Sequence, residues 1–312
     1  MKLKSRKNII FISMLSVLIV LVSGYFIHRF VVVLLADKTW IIDFGYEDNE
    51  IHELTFYSMG NRSCPEIPIQ VDNNIFKLIF DTGCGTGVQF TDVVEGKIDY
   101  TLLDKTEALN RDGSHRGWNK GIAIGEMKVF GEQFNNITTS IADLSMSSAS
   151  KFNGLIGLSY FDSKVITLDY AGHRIGISSN PIDYTKLEDD KYVVLPLFKT
   201  TSEGQQDLLF FEAEYNNQPT IVYLDTGKNY SYLYNPDCSS SIGDKPTKHL
   251  DIPLKVGGLE LTLKDITEAN DIAQAKGLPY STMIELNSDQ IWKCKLLVTI
   301  DLIEQKIIFR KF

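Results

Sequence analysis

The chain has 312 residues, enough for two packed lobes of ordinary size, and its 44% hydrophobic and 23% charged content is globular rather than disordered. A formal charge of -9 argues against a nucleic-acid surface, because phosphate binding needs clustered Lys and Arg. The only basic cluster is Lys2, Lys4, Arg6 and Lys7, and it stands in front of an apolar segment.

That segment, 9–27, runs 19 residues without a charge, about the length that crosses a bilayer core as a helix. Positive residues before it predict that 1–8 form a cytoplasmic tail and that the remainder lies outside the cytoplasm. The apolar run continues past His28 and Arg29 to residue 36, which is long for a signal peptide, so an uncleaved single-pass anchor over 9–36 is preferred. The alternative is a cleaved signal ending near Val22-Ser23-Gly24. Both readings export the bulk of the protein to the extracytoplasmic side of an envelope.

Residues 37–60 read as a linker and a first strand. After them come many short apolar or alternating segments, such as 67–71, 76–80 and 165–168, bounded by Gly, Asn and Asp. The fold class is therefore mostly β. The clearest helical candidate is 266–276. The four cysteines, Cys64, Cys84, Cys238 and Cys294, are too scattered for a disulfide scaffold or a zinc site. Export permits a bridge, and Cys238 with Cys294 is the pair expected.

The chain repeats itself. Segment 76–80 leads into Asp81-Thr82-Gly83, and 220–224 leads into Asp225-Thr226-Gly227. An Asn-Asn pair precedes each strand, at Asn73-Asn74 and Asn216-Asn217, as in a hairpin. The closing segments match too: 165–169 with 174–177, and 297–301 with 306–309. The distances from each Asp to its closing Asp are 88 and 76 residues, so this is a duplicated domain rather than a short repeat. The boundary falls near Asn180-Pro181, giving lobes of 61–180 and 181–312.

One Asp-Thr-Gly is weak, but two at the ends of apolar strands carry chemistry. Gly lets the backbone turn where a Cβ would obstruct it. The Thr hydroxyl both donates and accepts, so it can tie one loop to the backbone of its counterpart. Each Asp then points toward the axis between the halves.

On these motifs the sequence resembles the pepsin-like and retropepsin-like aspartic peptidases over most of 60–312. The Gly-rich stretch 117–125, with Trp118, stands where that family has a β-hairpin flap. Asn153-Gly154-Leu155-Ile156-Gly157 is similar to its apolar-apolar-Gly motif beneath the catalytic loop. The resemblance implies a two-lobed acid-protease fold with Asp81 and Asp225 as catalytic dyad. Thr82, Gly83, Thr226 and Gly227 then support the loops, and Trp118 is a flap residue contacting substrate. It implies an endopeptidase acting on peptide or protein substrate as a monomer, with no metal or organic cofactor.

The second half departs from the pattern. Lys228 follows Gly227 where a small or hydroxyl residue is usual, and it is expected to point to solvent. Counting back from Asp301 as Gly157 stands from Asp169 lands on Asp289, in a polar segment without Gly. Cys84 takes the place of Ser or Thr and reads as structural. These departures motivate the rival reading, a peptide-binding protein of the cell envelope with impaired catalysis. Gly83-Cys84-Gly85-Thr86-Gly87 is no phosphate loop, because 88–90 read as strand rather than helix. The five histidines contain no metal-spaced pair. Asn61, Asn136 and Asn229 head glycosylation acceptors, and a glycan at Asn229 would obstruct a cleft, which favours a bacterial-type envelope.

Overall fold

The computed structural model describes residues 37–59, 62–85, 87–109, 115–142, 152–188, 190–199, 208–228, 230–239, 241, 249–270 and 279–311, with 14, 23 and 24. The chain is mostly β, arranged in several sheets. Among the described residues no helix is long and apolar enough to cross a membrane. The expected anchor lies outside them apart from three isolated positions.

The two halves build similar frameworks from similar sequence. In the first, strand Asn74–Phe80 lies between antiparallel Arg62–Val71 and parallel Gly154–Ile156, within a nine-stranded sheet. In the second, Gln218–Asp225 lies between antiparallel Leu209–Tyr215 and parallel Met283–Asn287, within a closed six-stranded barrel. Neighbours on both edges explain why both strands end in unbroken apolar runs: Leu78, Ile79 and Phe80, like 220–225, are all buried. The hairpin entering the second strand turns at Asn216 and Asn217, whose φ of 52° and 58° suit Asn in a two-residue turn. The first hairpin turns one residue earlier than expected, at Asp72-Asn73, because Val71 pairs with Asn74.

A six-stranded sheet joins the halves. Val165–Asp169 pairs antiparallel with Leu296–Asp301, and Thr167 stands opposite Thr299 at the centre with hydroxyls 2.8 Å apart. Each closing Asp ties its own turn. Asp169 accepts from the Gly172 amide at 2.6 Å, and Asp301 accepts from the Ile303 and Glu304 amides, both at 2.9 Å. Tyr184 also donates to Asp301 at 2.6 Å.

Three expectations change. Residues 37–59 are more than a linker: helix Thr39–Asp43 buries Trp40 against this sheet, and strands Ile51–Glu53 and Thr55–Met59 join the two larger sheets. Residues 266–269 are strand, the end of Leu259–Ala269, and 271–276 lie outside the described residues. The strand carries a β-bulge just before this segment, with Asp265 at φ 62°. No bridge joins Cys238 to Cys294; the Cys294 thiol turns instead to the Thr262 carbonyl at 3.6 Å.

Replacing Asp301 by Ala strands two amides and the Tyr184 hydroxyl. Urea denaturation is expected to show a loss of about 2 kcal/mol, and an unchanged midpoint would contradict the assigned role.

Candidate functional site

Both Asp-Thr-Gly loops leave their strands at the same place and meet between the halves. The contact is reciprocal. The Thr82 amide donates to the Thr226 hydroxyl, and the Thr226 amide donates to the Thr82 hydroxyl, both at 3.1 Å. Each hydroxyl then donates across to the other half's strand, Thr82 to the Leu224 carbonyl at 2.8 Å and Thr226 to the Phe80 carbonyl at 2.6 Å. Both threonines are buried. Four hydrogen bonds thus lock two loops 144 residues apart, because a hydroxyl is the one small group that accepts and donates at once.

The glycines follow from the closeness. A Cβ on Gly83 would lie 2.9 Å from the Asp225 Cγ and 2.5 Å from the Tyr223 hydroxyl, and one on Gly227 would overlap the Asp81 carboxyl. Each glycine therefore makes room for the opposite aspartate. Asp81 accepts from the Gly83 amide at 2.8 Å and is half-buried, while Asp225 is only 3% exposed.

Burial first, and then the neighbouring Asp225 charge, push the Asp81 carboxyl up to about 8. The Gly83 amide, which donates to Asp81, and the Lys228 ammonium oppose this shift. Two acids this close and this buried do not ionise together easily.

The first loop is supported as its motif suggests. The Asp81 amide donates to the Ile156 carbonyl at 2.9 Å, and Gly157 approaches so closely that a Cβ would overlap the Cys84 carbonyl. The second loop is supported differently. The strand register places Asn287, not Asp289, opposite Asp225. Asn287 turns its side chain away to cap helix Ser288–Lys293, accepting from the Gln290 amide at 3.1 Å. The Ser288 hydroxyl donates to the Thr226 carbonyl at 2.6 Å and meets the Tyr170 hydroxyl of the first half at 2.8 Å. A polar segment without Gly is therefore a working support, and Ser288, Asn287 and Tyr170 are residues that the sequence reading missed. The only signal was the polarity of 287–290 in place of an apolar motif.

Lys228 also differs from expectation. Its ammonium lies 3.4 Å from both oxygens of Glu285 and 3.8 Å from Asp225 Oδ2, rather than pointing simply to solvent. The buried Glu285 carboxylate draws it inward. The Cys84 thiol is directed toward the Gly87 carbonyl at 3.9 Å. Residues 88–91 are strand, as expected.

Trp118 stands on a hairpin formed by Thr106–Leu109 and His115–Val129, whose tip, 110–114, lies outside the described residues. Its ring is 60% exposed, with His115 as its aromatic neighbour at 5.4 Å. Among the described residues no ring contact or hydrogen bond joins it to either aspartate, and no group of three or more His, Cys, Asp or Glu could hold a metal ion. No protein-family model matches the chain, and no curated protein matches it in sequence.

Thr226→Val keeps the volume but strands the Phe80 carbonyl and the Thr82 amide. It should lower unfolding free energy by about 2–4 kcal/mol in urea titration; a near-neutral effect would show that the reciprocal contact is unimportant. A second expectation concerns pH. A carboxyl raised on folding contributes stability fully present below its unfolded pKa of about 4 and lost as pH rises through the folded value. Asp81→Asn escapes that loss, so its stability relative to the parent should grow from pH 4 to pH 8. A constant difference across that range would contradict the raised pKa.

Proposed function

We propose that this chain is a two-lobed aspartic endopeptidase resembling the pepsin-like and retropepsin-like enzymes, with lobes of 61–180 and 181–312 and an N-terminal membrane anchor. One observation carries the reading: two Asp-Thr-Gly loops from similar halves interlock through Thr82 and Thr226, so that each aspartate lies against the glycine of the opposite loop. A buried structural ion pair would place opposite charges together. Two acids set face to face, each with a glycine giving room to the other, serve a reaction that needs a base and an acid at one point.

In the proposed reaction a water sits between the two carboxyls. The ionised Asp removes a proton from it as the oxygen attacks the scissile carbonyl, while the protonated Asp polarises and then protonates the amide. No acyl-enzyme forms, and neither a metal nor an organic cofactor takes part. The substrate is an extended peptide segment, bound by backbone hydrogen bonds and side-chain pockets. The exposed Trp118 and its hairpin would lie against it. Since both aspartates belong to one chain, a monomer is sufficient. The anchor would confine activity to substrates on the outer side of the membrane.

A second reading, peptide binding without turnover, is motivated by the second half's departures from the family pattern: Lys228 beside Asp225 and the polar segment at 287–290. The two readings separate by assay. The peptidase reading expects cleavage of an unstructured protein, blocked by a pepstatin-type inhibitor. Asp81→Asn and Asp225→Asn should each lower turnover by ~10³-fold or more while circular dichroism stays unchanged. Full activity in either variant would refute the dyad, and binding without cleavage in the parent would select the second reading.

A further inference from the structure

The peptidase chemistry leaves open which aspartate is the base, and in a symmetric dyad the two are interchangeable. This dyad is not symmetric. Lys228 is held at one end by Glu285, which is 1% exposed on strand Met283–Asn287 beside the Asp225 strand. A carboxyl buried that deeply stays ionised only beside a countercharge, and Lys228 supplies one with 3.4 Å contacts to both oxygens. So tethered, the ammonium is 3.8 Å from Asp225 Oδ2. Asp81 has no such ion pair among the described residues and feels Lys228 only through space. The Lys228 side chain keeps 41% of its surface in contact with solvent, so it remains charged without being pulled off the pair.

We propose that Lys228 is a positioning residue that fixes the proton of the dyad on Asp81, leaving Asp225 as the ionised partner that takes the proton from water. The roles then balance. Asp225 takes a proton from the water as its oxygen bonds to the carbonyl carbon, and Asp81 gives its proton to the amine as the C–N bond breaks. The one proton now on Asp225 passes back to Asp81 when the products leave. This assignment rests on the peptidase reading for its kinetic consequence but not for its electrostatic one. Among the described residues, titratable groups near the pair include the Tyr223 hydroxyl beside Gly83, the Tyr232 ring 5.8 Å from the ammonium, the Cys64 thiol 3.5 Å from the Gly227 carbonyl, and the Cys84 thiol of the first loop. None of them carries a positive charge that could replace Lys228. The push of burial and of the Asp225 charge on Asp81 points the same way.

The test is a carbon-13 titration of the aspartate carboxyls in the full-length chain, with the two signals assigned by Asp81→Asn and Asp225→Asn. In the parent, Asp225 should ionise first. In Lys228→Met that first ionisation should move up by about one pH unit, since a nearby partly exposed cation favours the anion by this order. Lys228→Arg should restore the parent curve. Where cleavage is measured, the acid limb of the kcat/KM profile should move up by the same amount in Lys228→Met. Asp81 ionising first, or a Lys228→Met titration superimposing on the parent, overturns the assignment whether or not the protein cleaves peptides. Absence of cleavage in the parent overturns the peptidase reading, and the carboxyl titration still decides the role of Lys228.

Discussion

The reciprocal hydrogen bonding of Thr82 and Thr226 is the constraint on which the rest of the molecule depends. Two buried carboxyls repel each other as soon as the second ionises, and desolvation disfavours even the first charge. Loops left to themselves would separate and let water between the acids. Here each threonine accepts an amide from the opposite loop and donates to the strand behind it. The strands themselves are fixed on both edges by their sheets. The repulsion is therefore borne by the frameworks of both halves, and the halves are held in turn by the pairing of Val165–Asp169 with Leu296–Asp301.

Within that frame the two loops are supported in different ways. Behind Asp81 the support is backbone on backbone, where Gly157 alone permits the approach to the Cys84 carbonyl. Behind Asp225 it is a chain of hydroxyls, Tyr170 to Ser288 to the Thr226 carbonyl, followed by a short helix capped by Asn287. The second side also carries the Lys228–Glu285 pair. The similar frameworks of the two halves bring the two acids together, and the halves differ in that Lys228 stands beside Asp225.

Much of this was legible in the sequence because its causes are local. An apolar strand ending in Asp-Thr-Gly announces itself, and so does its repetition, down to the closing Asp169 and Asp301. The hydroxyls of Thr82 and Thr226 could be assigned to the opposite loop because few other partners suit a buried group of that kind. What stayed hidden depends on residues brought together by the fold. Glu285 is 57 positions from Lys228, and nothing in either segment names the other. Ser288 replaces a motif by a different interaction, which no pattern for that motif would find. Trp40 looked like part of a linker because its burial is created by a sheet whose strands come from both halves.

The central claim is that Asp81 and Asp225 act as one unit around one proton and one water. Neutron diffraction from deuterated crystals at mildly acidic pH examines it most directly. The account expects a single deuteron on the facing carboxyl oxygens, bonded to Asp81, with one water within hydrogen-bond reach of both acids. Two fully ionised carboxylates with separate hydration, or two protonated acids with no water between them, would contradict it.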